Sequence, residues 1–318
     1  MTLSELRYVV AVADQRHFGR AAEACHVSQP SLSVAIRKLE DELGVTLFER
    51  GRGEVSVTPA GEQVVSQARR VLTEVEQLRA VAVQSQDQLA GPLRLGAIYT
   101  IGPYLLPELI PVLRERAPKM PLVIEENYTG RLRERLKHGE LDAIIVSLPF
   151  DEPGVVTLPL YDEPFMAVLP AAHPLKDKEP LRLEDMADAT LLLLGAGHCF
   201  RDQVLERCPA CQRTVTADGS TPQNLEGSSL ETIRHMVASG MGVTILPCTA
   251  VGADRYAQRL LAVRRFQDPA PSRRVALAWR ASFPRPEAIE ALRQAVLATA
   301  LTCVEFIQPG EHLQADAD

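Results

Sequence analysis

No stretch of this 318-residue chain approaches the roughly 18 to 20 uninterrupted apolar residues that a helical membrane span needs. The opening MTLSELRYVV lacks a basic region followed by a long apolar stretch and a small-residue cleavage site, so no secretory signal is expected. Positive charge is not in surplus either: the net charge is −7, and any surface for nucleic acid must concentrate its cations locally. One CxxC is present, but no second one and no HxxxH, so a zinc ion held there would lack two of its four usual ligands. Neither a bound metal nor a cofactor is expected. These absences favour a cytoplasmic protein without membrane contact, where thiols stay reduced and lasting disulfides are rare. What is present is 46% apolar and 24% charged residues, the balance of a folded soluble chain, at a length that calls for two or three domains.

Residues 3 to 43 carry three helical patterns with short breaks. In LSELRYVVAVADQ, Leu3, Leu6, Val10 and Ala13 recur at helical spacing, and the Ala-rich FGRAAEACH suits a tight helix contact. In VSQPSLSVAIRKLEDELG, Ser28 is placed to cap the first turn and Pro30 is tolerated within it, because first-turn amides have no intrahelical acceptor. Leu32, Ala35, Ile36, Leu39 and Leu43 make the stripe expected to be buried. Gln29, Ser33 and Arg37 lie on another face with Ser31 and Lys38 nearby, residue types that reach base edges and phosphates from a helix N-terminus. Val45, Leu47, Val55 and Val57 flank a Gly-rich turn holding Arg50 and Arg52, the pattern of a small hairpin wing. An all-helical interaction domain with a merely solvated charged face fits the same pattern. Charge does not decide between them: residues 1 to 58 hold seven Lys or Arg against eight acidic residues.

Thr58 and Pro59 read as the cap and first position of a long helix. Along it Val64, Ala68, Val71, Val75, Leu78 and Ala82 form a heptad seam, which fits a paired helix or a single helix packed on its own domain. The run AAEACHVSQPSLSVAIRKLEDELGVTLFERGRGEVSVTPAG resembles the winged helix-turn-helix of the LysR-type transcriptional regulators. That resemblance implies double-stranded DNA as partner, with Gln29, Pro30, Ser31, Ser33 and Arg37 facing the groove and Arg50 on the backbone from the wing.

From Gly91 the pattern becomes strand–helix alternation. PLRLGAI, LVIEEN and DAIIVSL read as strands, with GPYLLPELIPVLRERAP and RLRERLKHGEL as helices between them. This argues for a parallel sheet covered on both faces. A second set runs from FMAVLPAAHPL through LLLL to SLETIRHMVASGMGVTILP, and VALAWRAS with a final helix PEAIEALRQAVLATALTCVEFI returns to the first lobe. Two such lobes resemble the regulatory domains of the LysR-type proteins, themselves similar to periplasmic solute-binding proteins. The expected fold is α/β multidomain: a winged helix-turn-helix at 1–58, a linker and dimerisation helix at 59–90, and a two-lobed regulatory domain. Its subdomain I spans 91–162 plus 268–307, its subdomain II, with the redox cysteines, spans 163–267, and 308–318 is expected to be a flexible tail. Open α/β sheets bind ligands beyond the carboxyl ends of their strands, where Thr100, Thr129 and Ser147 follow three successive strands. Each hydroxyl also suits a helix cap. No Lys or Arg adjoins any of the three in the chain, which points to a small neutral ligand.

Three of the six cysteines fall within GHCFRDQVLERCPAC, residues 197 to 211. A metal site, a thiol catalyst, a redox switch and chance are the alternatives. Cys199 follows a strand and a flexible GAG, at the start of a helix, where free amides and neighbours such as His198 and Arg201 favour thiolate over thiol. Were 199 to 208 helical, a rise of 1.5 Å per residue would separate the two α-carbons by roughly 13 Å. A disulfide needs about 4.4 to 6.8 Å. Any bond between them would therefore select another conformation. Cys208-Pro209-Ala210-Cys211 allows a Cys208–Cys211 bond, or competition from Cys211 for an oxidised Cys199. Cys25, Cys248 and Cys303 lie in apolar contexts and read as packed thiols.

GHCFRDQ with Cys208 nine residues beyond Cys199, together with GAIYTIGPYLLP, EENYTG, GELDAII and SSLETIRHMVASGMGVTILP, is similar to the peroxide-sensing members of the LysR-type family. The likeness covers all but the last dozen residues or so. It implies that hydrogen peroxide oxidises Cys199 to a sulfenic acid, which condenses with Cys208. It also implies that Thr100, Thr129, His198, Asp202 and, in SRRVALAW, Arg274 bind and orient the peroxide. The implied protein is an activator of oxidative-stress genes and not an enzyme: a homotetramer that contacts RNA polymerase and is reset by a thiol-reducing system such as glutaredoxin or thioredoxin. Two other readings stand beside it: a family member that answers to a small organic effector in the cleft, and a thiol peroxidase, for which a winged helix would have no use.

Overall fold

A computed structural model describes residues 1–50, 55–83, 87–211, 225–252 and 259–307. Arg52 and the tail expected at 308–318 lie outside them. The chain divides into two compact units, Met1–Asp87 with Lys137–Glu140, and Gln88–Leu136 with Leu141–Asp318.

In the first unit, α1 (Leu3–Gln15), α2 (Phe18–Ala24) and α3 (Gln29–Leu43) precede a two-stranded antiparallel wing, β1 (Phe48–Arg50) and β2 (Val55–Val57), and then α4 (Pro59–Val83). Each helix start has a local cause. Thr2 and Glu5 form a capping box on α1, His17 Nδ1 accepts the amides of Gly19 and Arg20, and Ser28 Oγ accepts that of Ser31 at 3.3 Å. Gly44, at φ +69°, ends α3 in the left-handed conformation that glycine adopts without steric cost. Thr58 Oγ1 accepts the Gly61 amide at 2.9 Å and donates to the Thr46 carbonyl, tying the wing to the start of α4. Glu40 reaches from α3 to the Leu47 and Phe48 amides at 2.7 and 3.3 Å and fixes the wing's other end.

The core of this unit includes Leu6, Val9, Val12, Leu32, Ile36, Leu39, Leu47 and Phe48. The stripe on α1 is therefore rotated from that expected: Val9 and Val12 are fully buried, Val10 and Ala13 partly, and Leu3 is exposed. On α3 the stripe stops at Leu39, and Leu43 is exposed because the chain turns at Gly44 before anything covers it. The α4 seam divides as well. Ala68 is buried and Val64 and Val71 pack on this unit's own core, while Leu78 is 72% exposed.

The second unit runs β3 (Leu93–Ile98), α5 (Gly102–Arg116), β4 (Leu122–Asn127), α6 (Thr129–Lys137), β5 (Ala143–Ser147) and β6 (Val155–Pro170). There follow β7 (Leu191–Leu194), α7 (Cys199–Arg207), β8 (Leu225–Gly227), α8 (Leu230–Ala238), β9 (Val243–Pro247), β10 (Leu261–Arg265), β11 (Ser272–Arg280), α9 (Pro286–Leu297) and β12 (Glu305–Phe306). The strand order is β4-β3-β5-β11-β6-β9-β7-β8, with β10 and β12 also paired to β6.

The sheet is mixed rather than parallel. β3 pairs β4 and β5 in parallel and β7 pairs β8 and β9 in parallel, but every pairing of β6 and β11 is antiparallel. The cause is connectivity: the chain leaves the first set of strands along β6 and returns along β11, so these two run in opposite directions. Two cores result, one around Leu95, Ile145, Leu160 and Leu277, the other around Phe165, Val168, Leu192, Phe200 and Ile245. The last helix is shorter than the sequence pattern implied. Its turn closes at Thr299, whose hydroxyl donates to the Val296 carbonyl at 2.7 Å, and the chain comes back as β12 against Asp162 and Tyr161. Among the described residues no helix is long and apolar enough to cross a membrane.

Candidate functional site

β3 and β4 pair in register from Leu93↔Leu122 to Ile98↔Asn127. The residues that continue them, Tyr99-Thr100 and Tyr128-Thr129, therefore leave the sheet side by side. The two tyrosine rings meet edge-on at 5.3 Å between centroids. His198 stands against both, 4.8 Å from Tyr128 and 6.1 Å from Tyr99. Each ring immediately precedes one of the expected residues: Thr100, Thr129 and Cys199. Two strand ends and the start of α7 thus converge, although the residues between them are far apart in the chain.

Cys199 is the first residue of α7; its thiol is free, and the residue is half-buried against the first core. Its neighbour Phe200 is buried in the second core, edge-on to Phe165 at 5.0 Å. Val204, one turn on, is buried with it. Gln203 holds another side of α7: its Nε2 donates to Ser147 Oγ at 2.8 Å and to the Leu148 carbonyl at 3.0 Å. The third strand-end hydroxyl is thereby engaged with α7 through a residue that sequence reasoning passed over. Burial depresses the pKa of His198, which favours the neutral imidazole at neutral pH. Asp202 is exposed on the first turn of α7.

Behind the hydroxyls lies a buried polar network. Arg273 donates to Thr100 Oγ1 at 2.8 Å, to the Thr100 carbonyl at 2.7 Å and to Glu163 at 2.7 Å, and both side chains of the ion pair are fully buried. Glu163 also accepts the Thr249 amide at 3.2 Å and its hydroxyl. The Arg273 guanidinium lies over the Phe200 ring, 5.2 Å from its centre. With its oxygen accepting from Arg273, the Thr100 hydroxyl keeps its proton to donate elsewhere. Thr129 Oγ1 is buried without a hydrogen-bond partner among the described residues, an arrangement that costs free energy unless something small fills the place.

Arg274 is a correction. It pairs with Asp162 through two bonds of 2.8 Å, partly exposed, because adjacent residues of β11 point to opposite faces and the inward one is Arg273. The cysteines bring one more, at 248 and 303, while CPAC forms the bond its spacing allowed. Cys208 is bonded to Cys211 with α-carbons 5.2 Å apart, and Cys248 to Cys303 at 6.1 Å, whereas packed free thiols were expected at 248 and 303. Cys25 is free and half-buried, and burial raises its pKa. Among the described residues no group of three or more His, Cys, Asp or Glu is placed to hold a metal ion.

On α3, Gln29, Pro30, Ser31 and Arg37 are exposed and Ser33 is half-buried, while Ser31 Oγ shares a hydrogen bond of 2.8 Å with the capping Ser28. The Arg50 side chain lies outside the described residues.

The family description "LysR substrate binding domain" matches residues 86–301, and "Bacterial regulatory helix-turn-helix protein, lysR family" matches residues 3–62. The DNA-binding transcriptional dual regulator OxyR of Escherichia coli (strain K12) is 41% identical over 94% of this chain and 95% of its own. Among solved structures, a full-length cysteine-to-aspartate variant of OxyR from Pseudomonas aeruginosa is 54% identical and covers 97% of this chain and 99% of its own, with a TM-score of 0.80. An H2O2-bound mutant of Corynebacterium glutamicum OxyR is 36% identical, covers 93% and 91% respectively, and has a TM-score of 0.61.

Proposed function

The chain belongs to the LysR family of bacterial helix-turn-helix regulators, and from that premise we propose that it is a DNA-binding transcriptional activator switched by hydrogen peroxide at Cys199. The observation that carries this reading is a free, half-buried thiol at a helix start whose preceding residue, His198, packs on Tyr128, the residue before Thr129, whose buried hydroxyl has no partner among the described residues. Thr129 and Thr100 supply the hydrogen bonds that orient a peroxide molecule, and neutral His198 walls the site. The Cys199 sulfur attacks one peroxide oxygen, water leaves, and a sulfenic acid remains. Condensation with Cys208 releases a second water. Because α7 separates the two α-carbons by roughly 13 Å, that bond requires α7 to unwind, and the unwinding is the signal. The exposed face of α3 reads DNA in the major groove. The open half of the α4 seam, with Leu78, pairs with a second copy, and dimers join into a tetramer on a two-fold site. Activation proceeds through RNA polymerase, the reset through glutaredoxin or thioredoxin, and the protein works in the cytoplasm. Its role in this reading is regulation, not enzymatic turnover.

The test is to treat the reduced full-length protein with one equivalent of hydrogen peroxide and map disulfides by peptide mass spectrometry alongside promoter activation. A Cys199-dependent response lost in Cys199→Ser is expected. A response indifferent to Cys199→Ser would mark a family member that answers to a small organic effector instead.

Thr129→Val is a second test, since it removes the hydroxyl at nearly constant shape. The loss of a hydrogen bond worth about 0.5 to 1.5 kcal/mol slows peroxide oxidation of Cys199 by roughly twofold to tenfold. Alkylation by a bulky reagent keeps its rate, and thermal stability holds or rises because an unpaired buried hydroxyl is gone. Equal slowing of both reactions would remove the peroxide-orienting role.

A further inference from the structure

Cys208 closes α7, and Cys211 ends the short 3-10 turn that follows it, with the Cys211 amide donating to the Cys208 carbonyl at 2.8 Å. Both are buried, at 0% and 1% exposure, and are joined to each other while α7 is intact and Cys199 is free. The partner that Cys199 needs is thus engaged by a third cysteine three residues on.

We propose that Cys211 makes this sensor a three-cysteine relay, in which Cys208–Cys211 is a second dithiol couple that takes the oxidation away from Cys199 and switches the signal off. The inference rests on the peroxide reading of Cys199. In the first step the Cys199 thiolate takes one oxygen from peroxide, and water leaves. Next the Cys208 thiol displaces the second water, forming Cys199–Cys208. Then the Cys211 thiolate, its proton released to solvent, attacks the Cys208 sulfur. The Cys208–Cys199 bond breaks and its electron pair departs on Cys199 as thiolate. The net change is one peroxide and the thiols of Cys208 and Cys211 going to one disulfide and two waters, with Cys199 unchanged.

The last step conserves the number of S–S bonds, so conformation sets its direction. A Cys199–Cys208 bond must close roughly 13 Å to about 4.4 to 6.8 Å, which breaks α7 and draws Phe200 and Val204 from the second core. A Cys208–Cys211 bond, with α-carbons at 5.2 Å, lies within one turn and leaves the helix and both apolar contacts in place. Exchange therefore runs toward Cys208–Cys211 as α7 refolds. In that state Cys199 reacts with further peroxide but has no resolving thiol, so the sensor is refractory until Cys208–Cys211 is reduced. Its burial keeps reductants out unless the turn opens.

The experiment is a time course on reduced full-length protein given one equivalent of hydrogen peroxide, acid-quenched, alkylated and mapped by peptide mass spectrometry. In the wild type Cys199–Cys208 rises first and decays into Cys208–Cys211 while alkylatable Cys199 returns. In Cys211→Ser, and in Cys211→Ala, which buries no hydroxyl, Cys199–Cys208 persists at least tenfold longer. In Cys199→Ser the Cys208–Cys211 bond forms at least tenfold more slowly. Equal persistence of Cys199–Cys208 with and without Cys211 overturns the relay alone, as does Cys208–Cys211 forming at an undiminished rate without Cys199. Absence of Cys199–Cys208 even in both Cys211 variants overturns the peroxide reading of Cys199, and the relay with it.

Discussion

Arg273→Ala is expected to destabilise the second unit by about 3 to 5 kcal/mol, the range found when one partner of a buried ion pair is removed. The reason is the charge left behind. Glu163 is fully buried beside Arg273 on the paired strand, and without the guanidinium it keeps, among the described residues, the Thr249 contacts alone. The Thr100 hydroxyl and carbonyl lose their donors at the same stroke, and Phe200 loses the cation over its ring. Urea unfolding followed by a fluorescence or circular dichroism signal measures the loss. The companion Arg273→Met with Glu163→Leu fills the space without charge and should recover most of it, because desolvation offsets much of what a buried pair contributes. A single-variant loss below about 1 kcal/mol would mean that water relieves Glu163, and the buried pair would then contribute little to the stability of this unit.

Gly61→Ala is expected to destabilise the DNA-reading unit markedly. A methyl group on Gly61 would stand 2.2 Å from the Leu47 carbonyl oxygen and 2.9 Å from Val57 Cγ1. The first obstacle is backbone, so no rotamer change relieves it, and the same oxygen accepts the Thr58 amide at 3.0 Å. Either the wing lifts from α4 or the first turn of α4 frays, at a cost of about 1 to 3 kcal/mol. Operator affinity should fall with the melting temperature of the N-terminal unit. Gly130→Ala provides the contrast: it too lies in a helical first turn, but nothing stands within 4 Å of the added methyl. That change should be neutral or stabilise by up to about 1 kcal/mol. If both variants melt alike, the close approach at Leu47 is not what requires glycine at position 61.

The strand ends and the start of α7 were legible because their signals are local. Thr100 and Thr129 each follow a run of strand-forming residues, and Cys199 follows LLLL and a Gly-Ala-Gly break. CPAC was legible as a pair for the same reason, since three residues suffice to bring its thiols together. Arg273 against Arg274 was not. Choosing between adjacent strand residues needs an apolar–polar alternation, and β11 shows none, because Val275, Ala276, Leu277 and Ala278 are all buried with both faces of the sheet covered. Gln203 is an ordinary polar residue of α7 until Ser147, on β5, is known to lie beside it. The partners of Cys248 and Cys303 are 55 residues apart, with no pattern joining them. The antiparallel pairing of β6 and β11 was hidden likewise: hydrophobic runs report burial, not the direction in which a strand is crossed.

β6 pairs with β11 along Val155–Pro164 and with β9 and β10 along Phe165–Pro170. It places Leu160 and Tyr161 in one core and Phe165, Val168 and Leu169 in the other. Melting either core would strip ladder partners from a backbone that the other core still requires. The regulatory unit is therefore expected to unfold as one cooperative species with two hydrophobic centres, in a single calorimetric transition. On the peroxide reading, unwinding α7 would take Phe200 and Val204 out of a core that shares β6 with the other, so the change is expected to reach both hydrophobic centres through that one strand.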